Sequence, residues 1–140
     1  MREHWPGRLA EMREELETQV RQKKWNEAQR IVDSARRAYP DSTFGAFMAG
    51  TFDLALGNAD EAEKRFSEGM EIAPRSPTIA AALARAWSWK NGAAFAAGQL
   101  MRLAERDPHF ALARYIAARA YVEARDPSQA EAAQIGRAHV

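Results

Sequence analysis

The stretch Gly57–Pro74 reads GNADEAEKRFSEGMEIAP, one helix's worth of sequence with a stop signal on either side. Gly57-Asn58 ends whatever helix precedes it, because glycine takes the left-handed conformation after a helix without a Cβ penalty. Ala59 to Ile72 has helical length, and Asp60-Glu61 sit in its first turn, where acids complement the helix dipole. Ala73-Pro74 closes it, since proline cannot continue a helix. Upstream, Thr43 to Leu56 is a second run of helical length. The spacing predicts a helix, a tight turn and a second helix folded back on the first.

The pattern recurs along the chain. Ala28, Ala62, Ala96 and Ala130 fall in one register of 34 residues, and Pro40, Pro74 and Pro108, three of only six prolines, fall twelve residues after the first three of them. This places repeat one at 9–42, repeat two at 43–76, repeat three at 77–110 and a truncated repeat four at 111–134, preceded by an N-terminal tail, 1–8. Asn91-Gly92 supplies the break in repeat three, and Ser76-Pro77 and Asp126-Pro127 each offer an N-cap acceptor followed by proline at the first helical position. Position 8 of the register is Gly50, Ala84 and Ala118 in repeats two to four, and position 20 is alanine in all four. Bulky groups stand opposite: Trp87 and Tyr121 at position 11, and Val32, Phe66 and Leu100 at position 24. Small facing large at helical spacing is how two antiparallel helices interdigitate. A period of this length predicts stacked repeats with an extended binding surface.

With these residues in place the chain resembles the tetratricopeptide repeat family. Repeat two carries the resemblance in Gly50, Asp60-Glu61-Ala62, Phe66, Gly69, Met70, Ile72 and Pro74, and repeat three in Leu83, Ala84, Trp87, Ala96 and Asp107-Pro108. Repeat one matches in its second half, at Trp25, Glu27, Ala28, Ala35 and Pro40, but has Glu15 where the family has a large apolar residue. Its first helix is therefore expected to be a solvated cap with one apolar stripe, Leu9, Met12, Leu16 and Val20. The resemblance covers 9–133 and implies an all-α fold, a right-handed superhelical solenoid of antiparallel helix pairs with about three and a half repeats.

Composition agrees with a folded domain, at 46% hydrophobic and 28% charged residues. A formal net charge of +1 argues against nucleic-acid binding, which leaves a clustered basic footprint. The charge is uneven, with two Lys/Arg against seven Asp/Glu over 41–74 and five against two over 75–108. There are no cysteines, which removes disulfides, thiolate metal sites and thiol nucleophiles. No stretch approaches the roughly eighteen apolar residues of a membrane span, so no membrane insertion is expected, and if Met1 is the native start the chain is expected to be cytoplasmic.

The chemistry of catalysis is missing from the pattern. His4, His109 and His139 stand far apart and make no metal-ligand or His-carboxylate spacing. No glycine-rich phosphate loop is present, and Glu14-Glu15 and Asp60-Glu61 are paired carboxylates on exposed helix starts. The expectation is a non-enzyme with no metal and no cofactor.

The resemblance implies that a ligand would lie in the concave groove, lined by the first helix of each repeat. The groove residues are then Phe47, Thr51, Arg85, Trp89, Tyr115 and Arg119, beside Phe44, Ser88 and Glu123. Arg85 and Arg119 are the candidate anion contacts, and Phe47, Trp89 and Tyr115 the apolar pockets. The alternative places Trp89 and Tyr115 in the core between repeats. Arg13 and Glu17 stand where the family's chaperone-tail clamp has Lys and Asn, which disfavours that ligand. The function expected is a protein-protein interaction module that holds a peptide or partner segment.

The last six residues, Ile-Gly-Arg-Ala-His-Val at 135–140, abandon the register and read as the in-frame translation of a sequencing adapter, a non-native tail. On that reading the chain is a fragment, and the alternative function is a regulatory or scaffolding arm of a longer enzyme, or of a secretion or pilus-assembly component. Self-association through the open edge of repeat four is a third reading, because uncovered repeat edges expose apolar surface.

Overall fold

The computed structural model describes residues 7–123, and every regular element among them is a helix: α1 (Gly7–Arg21), α2 (Trp25–Ala38), α3 (Thr43–Ala55), α4 (Ala59–Ile72), α5 (Pro77–Asn91), α6 (Ala93–Arg106) and α7 (Ala111–Glu123). Asp126-Pro127, Ala130 and the segment 135–140 lie outside the described residues. The chain divides into two compact units, Met1–Ile79 and Ala80–Val140, the division falling inside α5. In the first unit α1 packs on α2 and α3, α2 on α3, and α3 on α4. In the second, α6 packs on α7.

The helix ends follow the register bond for bond. Each second helix begins with an N–H···O=C bond from the register alanine to the residue before the helix, Ala28 to Lys24, Ala62 to Asn58 and Ala96 to Gly92, at 3.0, 3.0 and 3.2 Å. Each closes with the bonds Tyr39 to Ala35, Ala73 to Gly69 and Asp107 to Leu103, at 3.0, 2.9 and 3.0 Å. The closing residues have φ of −134°, −134° and −130°, the extended conformation that a following proline imposes by clashing with the α alternative. Pro40, Pro74 and Pro108 thus act as the stops that their spacing predicted.

The turns inside the pairs come in two forms. In repeats one and two the turn closes with a six-to-one bond, Lys24 to Gln19 and Asn58 to Asp53, nested around Lys23 to Val20 and Gly57 to Leu54. This double bond is the Schellman arrangement, which needs a left-handed residue after the helix. Gly57 takes it at φ 82°, and Lys23, 34 residues earlier, takes it at φ 58°. In repeat three α5 continues to Asn91, two register positions beyond the end of α3. Gly92, at φ 92°, then makes the turn with one bond to Ser88.

Side-chain caps and small residues complete the pairs. The Ser76 hydroxyl accepts the Ile79 N–H at 3.1 Å and is buried, capping α5 as the Ser-Pro pair predicted. The Ser42 hydroxyl caps α3 through the Phe44 N–H, also at 3.1 Å. Ala28, Ala62 and Ala96 are fully buried, as are Phe66 and Leu100, each four residues further along the same helix as its alanine. On α1, Leu9, Met12 and Leu16 are buried, Val20 is half-buried, and Glu11, Glu14 and Glu15 face solvent. That single stripe is what the sequence predicted for a capping helix. No helix among the described residues is long and apolar enough to cross a membrane.

Candidate functional site

The first helices of the repeats, α1, α3, α5 and α7, carry all the residues expected to meet a ligand, and the two units treat them differently. In the first unit the positions are occupied by one another. Phe47 is 1% exposed, which corrects its expected role as an open apolar pocket. The Arg13 guanidinium of α1 lies 4.9 Å from the centre of the Phe47 ring, within the range where a cation is held by the ring quadrupole. Arg13 Nε also donates to Glu17 Oε1 at 3.2 Å. On its other side Phe47 packs against Phe66, with ring centres 6.3 Å apart. Phe44 is likewise buried, edge-on to Tyr39 at 6.1 Å. Thr51 is half-buried, and its hydroxyl oxygen has no hydrogen-bond partner among the described residues.

In the second unit the corresponding positions are exposed. Arg85 and Trp89 stand four apart on α5, one above the other on a single face, and both are exposed, Trp89 at 65%. Ile79, Ala80, Ala82, Leu83, Ala86 and Trp87 are the buried residues of the same helix, so Arg85 and Trp89 fall on its solvent side. On α7, Tyr115 and Arg119 repeat the four-residue spacing, with Tyr115 40% exposed and Arg119 exposed, and Val122 one turn further is 60% exposed. Trp89 and Tyr115 therefore present their rings to solvent rather than to a core. The aromatic that does pack is Trp87, at 8% exposure, the residue read as the bulky partner of a small position.

The polar features of the first unit have structural work to do. Asp53 on α3 faces Arg65 on α4, Oδ2 to Nε 3.8 Å, and Arg65 also reaches Glu68 at 3.6 Å. Burial raises the Asp53 carboxyl above its ordinary range, more than the Arg65 charge lowers it. A cleft of about 480 Å³ is lined by Asp33, Arg36, Arg37, Tyr39, Glu68 and Ile72, among others. It offers both signs of charge, and Ser42 at its edge spends its hydroxyl on the α3 cap. No group of three or more His, Cys, Asp or Glu among the described residues could hold a metal ion.

Sequence reasoning missed Arg13 as the cover of Phe47. The Arg13–Glu17 pair was legible as an i, i+4 spacing, whereas the cation over a ring on α3 depends on how α1 packs against α3.

Among solved structures the chain is similar to that of YrrB, described as a TPR protein with an unusual peptide-binding site, at 19% identity and a TM-score of 0.54. The match covers 87% of this chain and 63% of YrrB, so the chain spans less than two thirds of that structure's length. No family model and no curated protein matches the chain. The likeness shows a tetratricopeptide-repeat-like fold, in agreement with the helix pairs and their register.

Proposed function

We propose that the chain is a non-enzymatic binding module that holds a peptide, or an extended segment of a protein partner, on the first helices of its repeats. The observation that carries this reading is the exposure of Trp89 and Tyr115, each with an arginine four residues away on the same helix face. Large rings at the surface are costly to keep in water and supply contact area with little entropy to lose, and arginine adds forked hydrogen bonding to carboxylates. The likeness to YrrB, described as a TPR protein with an unusual peptide-binding site, supports the same reading.

The test is selection of a random peptide library displayed on phage against the full chain, with the selected peptides then synthesised and titrated by fluorescence anisotropy. Binding that weakens in Trp89→Ala and Arg119→Ala, with helicity unchanged by circular dichroism, is the expected outcome. A selection that returns nothing above background, or binders indifferent to both substitutions, would sink the reading.

A further inference from the structure

The cleft of about 480 Å³ in the first unit is built mainly by second helices. Its lining comes from the last two turns of α2, with Arg36 and Arg37, from the last two turns of α4, with Glu68 and Ile72, and from the first turn of α3, with Gly45 and Ala46. Every lining residue falls within Met1–Ile79. At Gly45 α3 comes close to α2: a β-carbon there would lie 3.3 Å from the Tyr39 carbonyl oxygen and 3.6 Å from the Arg36 Cα. Repeat three fills the same register position with Ile79, fully buried. The apolar contribution to the cleft comes instead from Ile72, which is 49% exposed at the end of α4.

The acids of the lining are engaged within their own helices. Asp33 accepts a hydrogen bond from Gln29 at 2.9 Å, and Glu68 pairs with Arg65 at 3.6 Å. The cations of α2 are held less firmly. The Arg37 side chain makes no hydrogen bond or ion pair among the described residues, and Arg36 attracts Asp53 less than Arg65 does. The cleft therefore leaves over two guanidinium groups and an exposed aliphatic side chain.

We propose that this cleft is a second docking surface, and that its occupant is an acidic segment of a partner protein carrying an aliphatic side chain. Charge complementarity selects it: carboxylates meet Arg36 and Arg37, whose forks match them in two parallel hydrogen bonds. The aliphatic side chain rests on Ala46 and Ile72, where removing apolar surface from water is favourable. This surface shares no residue with the one that carries Trp89 and Tyr115, so either can be occupied without the other.

The experiment titrates the full chain, at low and high salt, with three labelled peptide pools of equal length and equal leucine content, whose remaining positions are Asp/Glu, Lys/Arg or Ser/Asn. Fluorescence anisotropy gives affinities, and backbone amide shifts of the isotope-labelled chain give the place. The acidic pool should bind most tightly, weaken as salt screens the charges, and shift the amides of Arg37, Gly45 and Ala46. It should lose roughly tenfold in affinity in Arg37→Ala and in Ile72→Ser, both at exposed positions, and stay within about twofold in Trp89→Ala. Equal or tighter binding of the basic or neutral pool overturns the acidic occupant. Binding that survives Arg37→Ala and Ile72→Ser but is lost in Trp89→Ala overturns the cleft and leaves the first-helix reading standing. A dimer in sedimentation that Arg37→Ala abolishes gives the cleft to a second copy and overturns the peptide occupant, as does an acidic pool that binds at neither salt.

Discussion

Phe66 occupies the space that a side chain at Gly50 would need: a β-carbon built on Gly50 would lie 2.6 Å from the ring Cδ1 and 2.8 Å from Cζ. The two residues hold positions 8 and 24 of repeat two. The same positions hold Ala84 and Leu100 in repeat three, and Leu16 and Val32 in repeat one. As the first member grows from glycine to alanine to leucine, the second shrinks from phenylalanine to leucine to valine, as a shared and closely packed space requires.

Gly50→Ala should therefore destabilise the protein by about 1–3 kcal/mol through overpacking. Adding Phe66→Leu, which recreates the pairing of repeat three, should recover much of that loss. Urea unfolding of the two single variants and the double variant measures the coupling. Additive losses would mean that the two side chains do not share their space.

Lys23 adopts at φ 58° a conformation that repeat two assigns to Gly57 at φ 82°. A side chain in that region costs roughly 1–2 kcal/mol, so Lys23→Gly should stabilise the turn between α1 and α2. Gly57→Ala should destabilise the turn between α3 and α4 by a similar amount. Hydrogen exchange at the amides of Lys24 and Asn58, which close the two turns, reads each effect locally.

Asp53 supplies a pH test. Its folded-state pKa is raised, chiefly by burial, so ionisation is disfavoured in the folded chain. The resulting loss of stability is absent below the unfolded pKa and develops as pH rises through the folded one. Asp53→Asn should therefore raise the urea midpoint at neutral pH and leave it unchanged near pH 3, about where carboxylates are protonated in both states. Arg65 keeps Glu68 as a partner in the variant. A gain of equal size at both pH values would assign the effect to packing.

Ala62 and Arg119 separate the scaffold from the surface. Ala62 is fully buried, and Ala62→Leu should cost about 1–3 kcal/mol. Arg119 is exposed, and Arg119→Ala should stay within about 0.5 kcal/mol of the parent. Melting temperatures in the reverse order would show the register to be shifted.

The fold was legible because its determinants are local. A proline stops the helix before it, a buried alanine permits close approach, and a serine caps the next turn, each within a few residues of its effect. Ala59–Ile72 matched the predicted segment to the residue, since both of its stops are written in the sequence. The site was less legible because exposure depends on neighbours. Phe47 and Tyr115 hold the same register position, yet the first is buried beneath Arg13 and the second is 40% exposed. The half-buried carboxylate of Asp53 was hidden for the same reason: it stands where repeat three has Trp87, and only its packing against α4 reveals what burial does to it.

The turn bonds have one more consequence. From Lys24–Gln19 to Phe110–Asp107, the hydrogen bonds that seal the helix ends span no more than six residues. A tandem duplication of 34 consecutive residues that is cut inside a helix, away from these turns, would therefore copy a full set of sealed ends. Such a chain could lengthen by slippage of its own coding sequence without a new turn having to be invented.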